Sequence, residues 1–127
     1  MEPLLKNEPK RLCIAGSRTF DDYQLLVLEA KKFIVEEIKT RNIIIISGTA
    51  RGADSLGEDF GKQFGMTIEE YPADWDQFGK SAGYIRNKEM AQVSDYALIF
   101  WDGKSKGTKH MIDLCNAFNV KIKIISY

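Results

Sequence analysis

Histidine and cysteine are scarce in this chain, and their scarcity argues against several kinds of site. The 127 residues include one histidine, His110, which falls where a helix is predicted to begin and is expected to be solvated. One histidine cannot supply a histidine-rich metal shell, and no Ser-His-Asp pattern is present. The two cysteines, Cys13 and Cys115, lack metal-ligand spacing and lie in apolar stretches, where we expect buried free thiols. The sequence therefore predicts neither a metal centre nor a cofactor.

Net charge and long apolar runs are missing as well. Lysine plus arginine and aspartate plus glutamate number 18 each, so no overall positive field attracts nucleic acid or a membrane surface. From this balance we expect no nucleic-acid partner. No apolar run approaches the ~20 residues of a membrane span, and the polar start MEPLLKNEPK lacks the apolar region of a signal peptide. We therefore expect no membrane partner and a cytoplasmic location.

The chain does contain an alternation of short apolar runs and amphipathic stretches, which is typical of repeated βα units. Five strands are predicted, at residues 11–16, 42–47, 66–71, 96–101 and 120–126. Four helices are predicted: one capped by Asp21 or Asp22, one from the 47–54 segment to about Phe64, one at about 83–93, and one after the 103–108 segment. The polar, aromatic stretch at 73–83 is predicted to be a loop.

The composition of the strands indicates how they are ordered in the sheet. The second strand contains four consecutive isoleucines and is apolar on both faces, as is typical of an interior parallel strand. The third contains two glutamates and is closed by Pro72, so we place it near an edge. In the fifth, Val120, Ile122 and Ile124 alternate with Lys121 and Lys123, the pattern of a half-exposed outer strand. Right-handed crossovers then favour the order 3-2-1-4-5 in a doubly wound, mainly parallel α/β sheet with helices on both faces.

Polar, glycine-rich and aromatic residues follow four of the predicted strands. They are Ser17, Arg18 and Phe20 after the first strand; Gly48, Arg51, Gly52 and Asp54 after the second; Asp74, Trp75 and Lys80 after the third; and Asp102, Ser105, Gly107 and Thr108 after the fourth. The carboxyl ends of parallel strands lie at one edge of a sheet, and the reversal of strand order leaves a crevice there. We expect these four loops to meet at that crevice.

Two of these loops open helices and carry glycines: SGTARGAD at 47–54 and GKSKGT at 103–108. The unpaired N–H groups at a helix N-terminus, together with the helix dipole, favour phosphate or another anion. Neither loop has the spacing of a Walker A motif, and the chain has no GxGxxG. Plain turn glycines and helix capping are the alternative explanation.

Three arginines and one aspartate are the charged candidates for the site. A guanidinium group pairs with phosphate or carboxylate through two parallel hydrogen bonds, which makes Arg18, Arg51 and Arg86 candidates for anion recognition. Asp54, three residues beyond Arg51, is a partner for that arginine or a ligand for a ribose hydroxyl.

Two aromatic residues in the same loops are candidates for contact with a base. The rings of Phe20 and Trp75 have the size and flat faces that stacking on a base requires. Trp75 is equally a candidate for anchoring its own loop.

The segments GSRTFDD, SGTARGADSLG, YPADWDQFGKSAGYIRNKEM and DYALIFWDGKSKGTKHMI together resemble the YspA/YpsA-related branch of the SLOG superfamily. That superfamily joins the Smf/DprA proteins to the LOG phosphoribohydrolases. The resemblance covers roughly residues 11 to 126. It implies one Rossmann-like domain at 11–127, after an N-terminal extension at 1–10, and a homodimer or larger homo-oligomer.

The resemblance also implies a ligand derived from a nucleotide. It assigns ligand contacts to Gly16, Ser17, Arg18, Gly48, Arg51, Gly52, Asp54, Arg86, Asn87, Ser105, Gly107 and Thr108. The function it favours is binding or sensing of a nucleotide-derived small molecule. Hydrolysis of an N-glycosidic or phosphoester bond, as in the LOG enzymes, and single-stranded DNA binding, as in DprA, are the alternatives.

One departure from the LOG pattern bears on catalysis. LOG enzymes carry a glutamate three residues after the threonine of their PGGxGTxxE motif, and counting from Thr108 this position holds Met111. The PGG is absent too. Without that carboxylate the usual acid–base group is missing. We therefore expect the protein not to be an enzyme. If it is one, Arg86 and Glu89 are the remaining candidates for catalytic residues.

Overall fold

The computed structural model describes residues 8–127. Most of the predicted extension at 1–10 lies outside the described residues. The strands are β1 (Lys10–Gly16), β2 (Ile43–Ser47), β3 (Thr67–Glu70), β4 (Tyr96–Trp101) and β5 (Lys121–Ser126). The helices are α1 (Tyr23–Phe33), α2 (Ala53–Gln63), α3 (Trp75–Phe78), α4 (Ala82–Val93) and α5 (Lys106–Ala117). A π-helical turn at Ile34–Ile38 extends α1, and a 3-10 turn at Gly79–Ser81 joins α3 to α4.

The five strands form one sheet in the order β3-β2-β1-β4-β5, and every neighbouring pair is parallel. The predicted α/β fold class and strand order are confirmed. The strand order reverses between β1 and β4, so the loops after these two strands diverge and leave a crevice at their carboxyl ends.

The core has two layers because side chains alternate between the faces of each central strand. Leu12, Ile14, Leu98 and Phe100 pack with α1 and α2 on one face. On the other face Cys13, Ala15, Ala97 and Ile99 pack with α4 and α5. Both cysteines are buried free thiols, as predicted.

One local prediction is wrong. The 73–83 stretch is not all loop, because the Asp74 carboxylate accepts a hydrogen bond from the Gln77 N–H at 3.1 Å and caps the short helix α3. The predicted half-exposed outer strand is confirmed as β5, which lies at the edge of the sheet with Ile124 exposed, and its Lys123 forms a 2.9 Å ion pair with Glu29 of α1. An edge strand is only partly covered, so alternation of apolar and charged residues does not decide which face is buried.

No helix among residues 8–127 is long and apolar enough to cross a bilayer. Leu28 and Val35 of the first helical segment are exposed large apolar residues. They are compatible with the predicted self-association, which stays a prediction.

Candidate functional site

Three adjoining cavities open at the carboxyl edge of the sheet, and Arg18 and Arg86 line all three. The inner cavity, of about 90 Å³, is also lined by Ala15, Gly16, Ala50, Asp54, Asn87, Met90, Ser105, Gly107, Thr108 and Met111. The loop cavity, of about 250 Å³, is also lined by Gly48, Thr49, Ala50, Arg51, Pro72, Ala73 and Trp75. The aromatic recess, of about 200 Å³, is also lined by Trp75, Lys80, Gly83, Tyr84, Asn87 and Gly107. The four predicted loops therefore do border one crevice.

Arg86 stands at the centre of this crevice, and its side chain is held on several sides. It is only 9% exposed; its Nη1 donates to the Gly48 carbonyl, and its Nε donates to Asn87 Oδ1 at 3.0 Å. The Asn87 amide in turn donates to the Gly107 carbonyl at 3.3 Å. Burial lowers the pKa of Arg86, and the Asp54 carboxylate opposes this shift. The guanidinium group therefore joins the loop after β2 to α4, and Asn87 joins α4 to the start of α5.

Asp54 is the buried acid of the site. It is 5% exposed, and its Oδ2 accepts a hydrogen bond from the Ala50 N–H at 3.2 Å. Burial raises the pKa of Asp54 to about 6, although hydrogen bonding and the Arg86 charge pull it down. The positive charge that lowers the pKa of Asp54 is that of Arg86, whereas the sequence suggests Arg51 as its partner.

Gly48 is needed because Asp54 and Arg86 crowd its backbone. A Cβ atom at this position would lie 2.7 Å from Asp54 Oδ2 and 2.9 Å from Arg86 Nη1. Any side chain would push the two charged groups away from the loop.

The N-terminus of α5 faces the crevice. Ser105 caps this helix by accepting from the Thr108 N–H at 3.2 Å, and Asp102 Oδ1 accepts from the N–H groups of Lys104 and Ser105 at 2.8 Å each. These hydrogen bonds lower the pKa of Asp102. A Cβ atom added at Gly107 would meet no heavy atom of residues 8–127 within 4 Å. The first turn of α5 is therefore open to a ligand, as an anion site requires.

The N-terminus of α2 is closed by the chain itself. The Ala53 N–H donates to the Ser17 carbonyl at 3.4 Å. Gly52 adopts φ +78° and packs against the same carbonyl group, so that an added Cβ atom would lie 2.4 Å from the Ser17 oxygen. Ser17 is buried, and its Oγ accepts from the Asp102 N–H at 3.2 Å. Ser17 and Gly52 thus hold the loops together. The expectation that both helix N-termini bind phosphate is corrected, because only α5 is open.

Of the remaining residues predicted for the site, some line the three cavities and others do not. Arg51 is exposed and lines the loop cavity, and Trp75 lines both that cavity and the aromatic recess. Phe20 is only 2% exposed and stacks on Phe100 with centroids 4.4 Å apart, so its predicted contact with a base is not supported. Glu89 is exposed and lines none of the three cavities. Met111, in contrast, lines the inner cavity.

Sequence reasoning missed Tyr84 and misjudged His110. Tyr84 lies three residues before Asn87 on α4, and that spacing places both on one helix face, a signal that was present in the sequence. His110 is half-buried rather than solvated: its ring lies edge-on to Tyr84 with centroids 4.5 Å apart. Its Nδ1 is buried and has no hydrogen-bond partner among residues 8–127. Within the same residues, no group of three or more histidine, cysteine, aspartate or glutamate side chains is placed to hold a metal ion.

Fold and crevice together define a Rossmann-like α/β protein with a candidate binding site at the carboxyl edge of its parallel sheet. The model of one family, described as YAcAr, the YspA and cpYpsA-related SLOG family, matches residues 10–78. The chain belongs to this family. It is also 34% identical over 109 residues to the gene 61 protein of Mycobacterium phage D29, an alignment that covers 80% of this chain and 84% of the phage protein.

A solved structure with the same fold is that of DNA processing protein A from Helicobacter pylori, described for its single-stranded DNA binding mode. The two superimpose with a TM-score of 0.67 over 95% of this chain and 67% of the other, at 18% identity. The likeness shows a shared fold. It also corrects the expectation that nucleic acid is not a partner, since a protein with this fold binds single-stranded DNA. The expectation is wrong because a balanced net charge over the whole chain does not describe the local charge at one edge of the sheet. The cavities at this edge are lined by four basic residues, Arg18, Arg51, Lys80 and Arg86.

Proposed function

We propose that the crevice binds a nucleotide through its phosphate. The observation that carries the proposal is the convergence of Arg18, Arg51 and Arg86 on the loop cavity, beside the open N-terminus of α5. Guanidinium groups and helix N-termini both favour phosphate oxygens, and Arg86 is already held in place before any ligand arrives. A preorganised cation loses little freedom on binding, which favours affinity.

The test of this proposal starts from the purified protein. Native mass spectrometry is expected to show a nucleotide that co-purifies, and calorimetry is expected to show binding of AMP or ADP. A protein that carries no nucleotide and binds neither AMP, ADP nor a single-stranded oligonucleotide contradicts the proposal.

Replacing Arg51 by alanine is expected to weaken AMP binding about tenfold or more, which is about 1.4 kcal/mol. The side chain is exposed in the loop cavity, so the free energy of unfolding should change little. The matched control is Arg41→Ala, because Arg41 is also exposed but precedes β2 at the opposite edge of the sheet. Equal affinities of the native and Arg51→Ala proteins by calorimetry would remove Arg51 from the site.

Single-stranded DNA is the second candidate ligand. Arg18 and Lys80 lie beside the exposed rings of Trp75 and Tyr84, and cations next to aromatic rings are typical of proteins that bind single strands. DNA processing protein A shares the fold. Binding of an oligothymidine that weakens steeply as salt rises, and that AMP displaces, would place the strand in this crevice.

Binding rather than hydrolysis is the expected activity. Met111 lines the inner cavity and occupies the sequence position that holds glutamate in the LOG pattern, but a methionine cannot transfer a proton. Acid–base assistance is typically worth about 10²–10⁴ in rate, so its absence favours binding over hydrolysis. The carboxyl group that does line this cavity, Asp54, is engaged by Ala50 and lies beside Arg86. Native protein incubated with AMP should release no adenine detectable by chromatography. Robust release that disappears in both Arg86→Ala and Asp54→Asn would establish an enzyme instead.

A further inference from the structure

The aromatic recess differs in chemistry from the loop cavity beside it. Trp75 and Tyr84 are 51% and 47% exposed, and both line the recess. Large aromatic side chains that remain half-exposed around a concavity are typical of binding sites. Their exposed rings gain free energy when a ligand covers them. We propose that this recess binds the base of the ligand, stacked on Trp75, while the phosphate lies in the loop cavity against Arg51. This inference rests on the function proposed above.

Both rings are held in place without a ligand. The Asp74 carboxylate caps α3 and fixes the residue that follows it, Trp75, at the start of the helix. The Trp75 ring lies over Gly83, where an added Cβ would be 3.4 Å from Trp75 Cη2. The Tyr84 ring packs edge-on against His110. A recess whose walls are already ordered loses little conformational entropy when a flat group enters.

The position of the recess fits one nucleotide bound across two cavities. Trp75, Arg18 and Arg86 line both the recess and the loop cavity, so the two spaces adjoin along these side chains. Arg51 lines only the loop cavity of this pair, and Tyr84 only the recess. A phosphate held by Arg51 and a base held by Trp75 would be joined by the ribose alongside Arg18.

The recess recognises a base mainly by its flat face. Both ends of the Asn87 amide are already engaged, with Arg86 and with Gly107. Of the other polar side chains there, Lys80 and the arginines carry only donors, whereas the Tyr84 hydroxyl both donates and accepts. Stacking is tolerant of sequence because every base has a π-face. The chemical class of ligand is therefore a nucleotide with a stackable base, either free or at one position of a single strand.

Three probes separate the base from the phosphate: AMP, ribose 5-phosphate and adenosine. Trp75→Ala should weaken AMP about tenfold or more and leave ribose 5-phosphate unchanged, whereas Trp75→Phe should keep most of the affinity. Phe78→Ala is the matched control, since Phe78 is an exposed ring on the same short helix but lines none of the three cavities. AMP, but not ribose 5-phosphate, should also quench tryptophan fluorescence, and Trp75→Phe should abolish that quenching.

The outcomes distinguish this inference from the proposed function. Equal losses for AMP and ribose 5-phosphate in Trp75→Ala would make Trp75 an anchor of its loop and overturn the base site, while phosphate binding stands. Unchanged AMP affinity in that variant overturns it as well. For a single strand, the same Trp75→Ala loss is expected with oligothymidine and is absent with an abasic oligomer. A native protein that binds none of these probes overturns both the base site and the proposed function.

Discussion

At about pH 7.5, replacing Asp54 by asparagine is expected to raise the free energy of unfolding by as much as about 3 kcal/mol, and at about pH 4 to change it little. The pKa of Asp54 is raised from its usual 3.8 to about 6 because the carboxyl group is buried. Between these values the folded protein keeps the proton that the unfolded chain releases. Stability therefore falls as the pH rises from about 4 to about 6, and the loss persists above that range.

The magnitude follows from the size of the shift, at about 1.4 kcal/mol for each pKa unit. Asparagine has the same shape and no charge to desolvate, and its amide oxygen can accept from the Ala50 N–H. The Gly16 N–H, which also donates to the carboxylate, loses its acceptor, so about 3 kcal/mol is the upper bound of the gain. Denaturant unfolding of both proteins at the two pH values measures the effect. Asp59→Asn, a change at an exposed carboxylate of the same helix, is the control and should alter stability at neither pH. A variant no more stable than the native protein at about pH 7.5 would show that Arg86 compensates the buried charge in full.

Placing leucine at position 107 is expected to weaken nucleotide binding about a hundredfold or more, equivalent to about 2.7 kcal/mol. Gly107 lines both the inner cavity and the aromatic recess, and the space where its side chain would begin is empty within 4 Å among residues 8–127. A leucine side chain would fill the ligand's space and cover the open first turn of α5.

The same substitution should not harm the fold. Gly107 has no positive φ, it belongs to α5, and leucine is the better helix former, by up to about 0.8 kcal/mol in a helix interior. Calorimetric titration with AMP, beside thermal unfolding, separates the two effects. Lys106→Leu is the control, because Lys106 is exposed in the same turn and lines none of the three cavities. Native-like affinity in Gly107→Leu would show that the ligand does not reach α5.

The fold could be predicted because its determinants are local and repeated along the chain. The four isoleucines of β2 have no polar face, so the strand must be covered on both sides, and the glutamates of β3 mark it as an edge strand. Together with the fixed handedness of βα crossovers, these features leave few possible orders. The family resemblance rested largely on residues in the loops that follow the strands, and the family match over residues 10–78 confirms it.

The site was predictable only in its location. Loops after parallel strands meet at one edge whatever their sequence, so the crevice followed from the fold. Which residues face it did not follow. Phe20 and Trp75 are both aromatic residues in strand-end loops, yet one packs on Phe100 and the other lines two cavities. Sequence spacing does not record the contacts with β4 that bury the first ring.

The sequence by itself determined the α/β class, the strand order, the edge of the sheet that holds the candidate site and the methionine at position 111, where the LOG pattern has glutamate. Each of these depends on residue type and spacing along one segment. Only the tertiary structure decided that Arg86 rather than Arg51 lowers the pKa of Asp54 and that Tyr84 lines the aromatic recess. It also decided that, of the two helices that follow the glycine-rich loops, α5 and not α2 has an open N-terminus. These features depend on which groups meet across segments distant in sequence, since burial, pKa and access are set by neighbours in space.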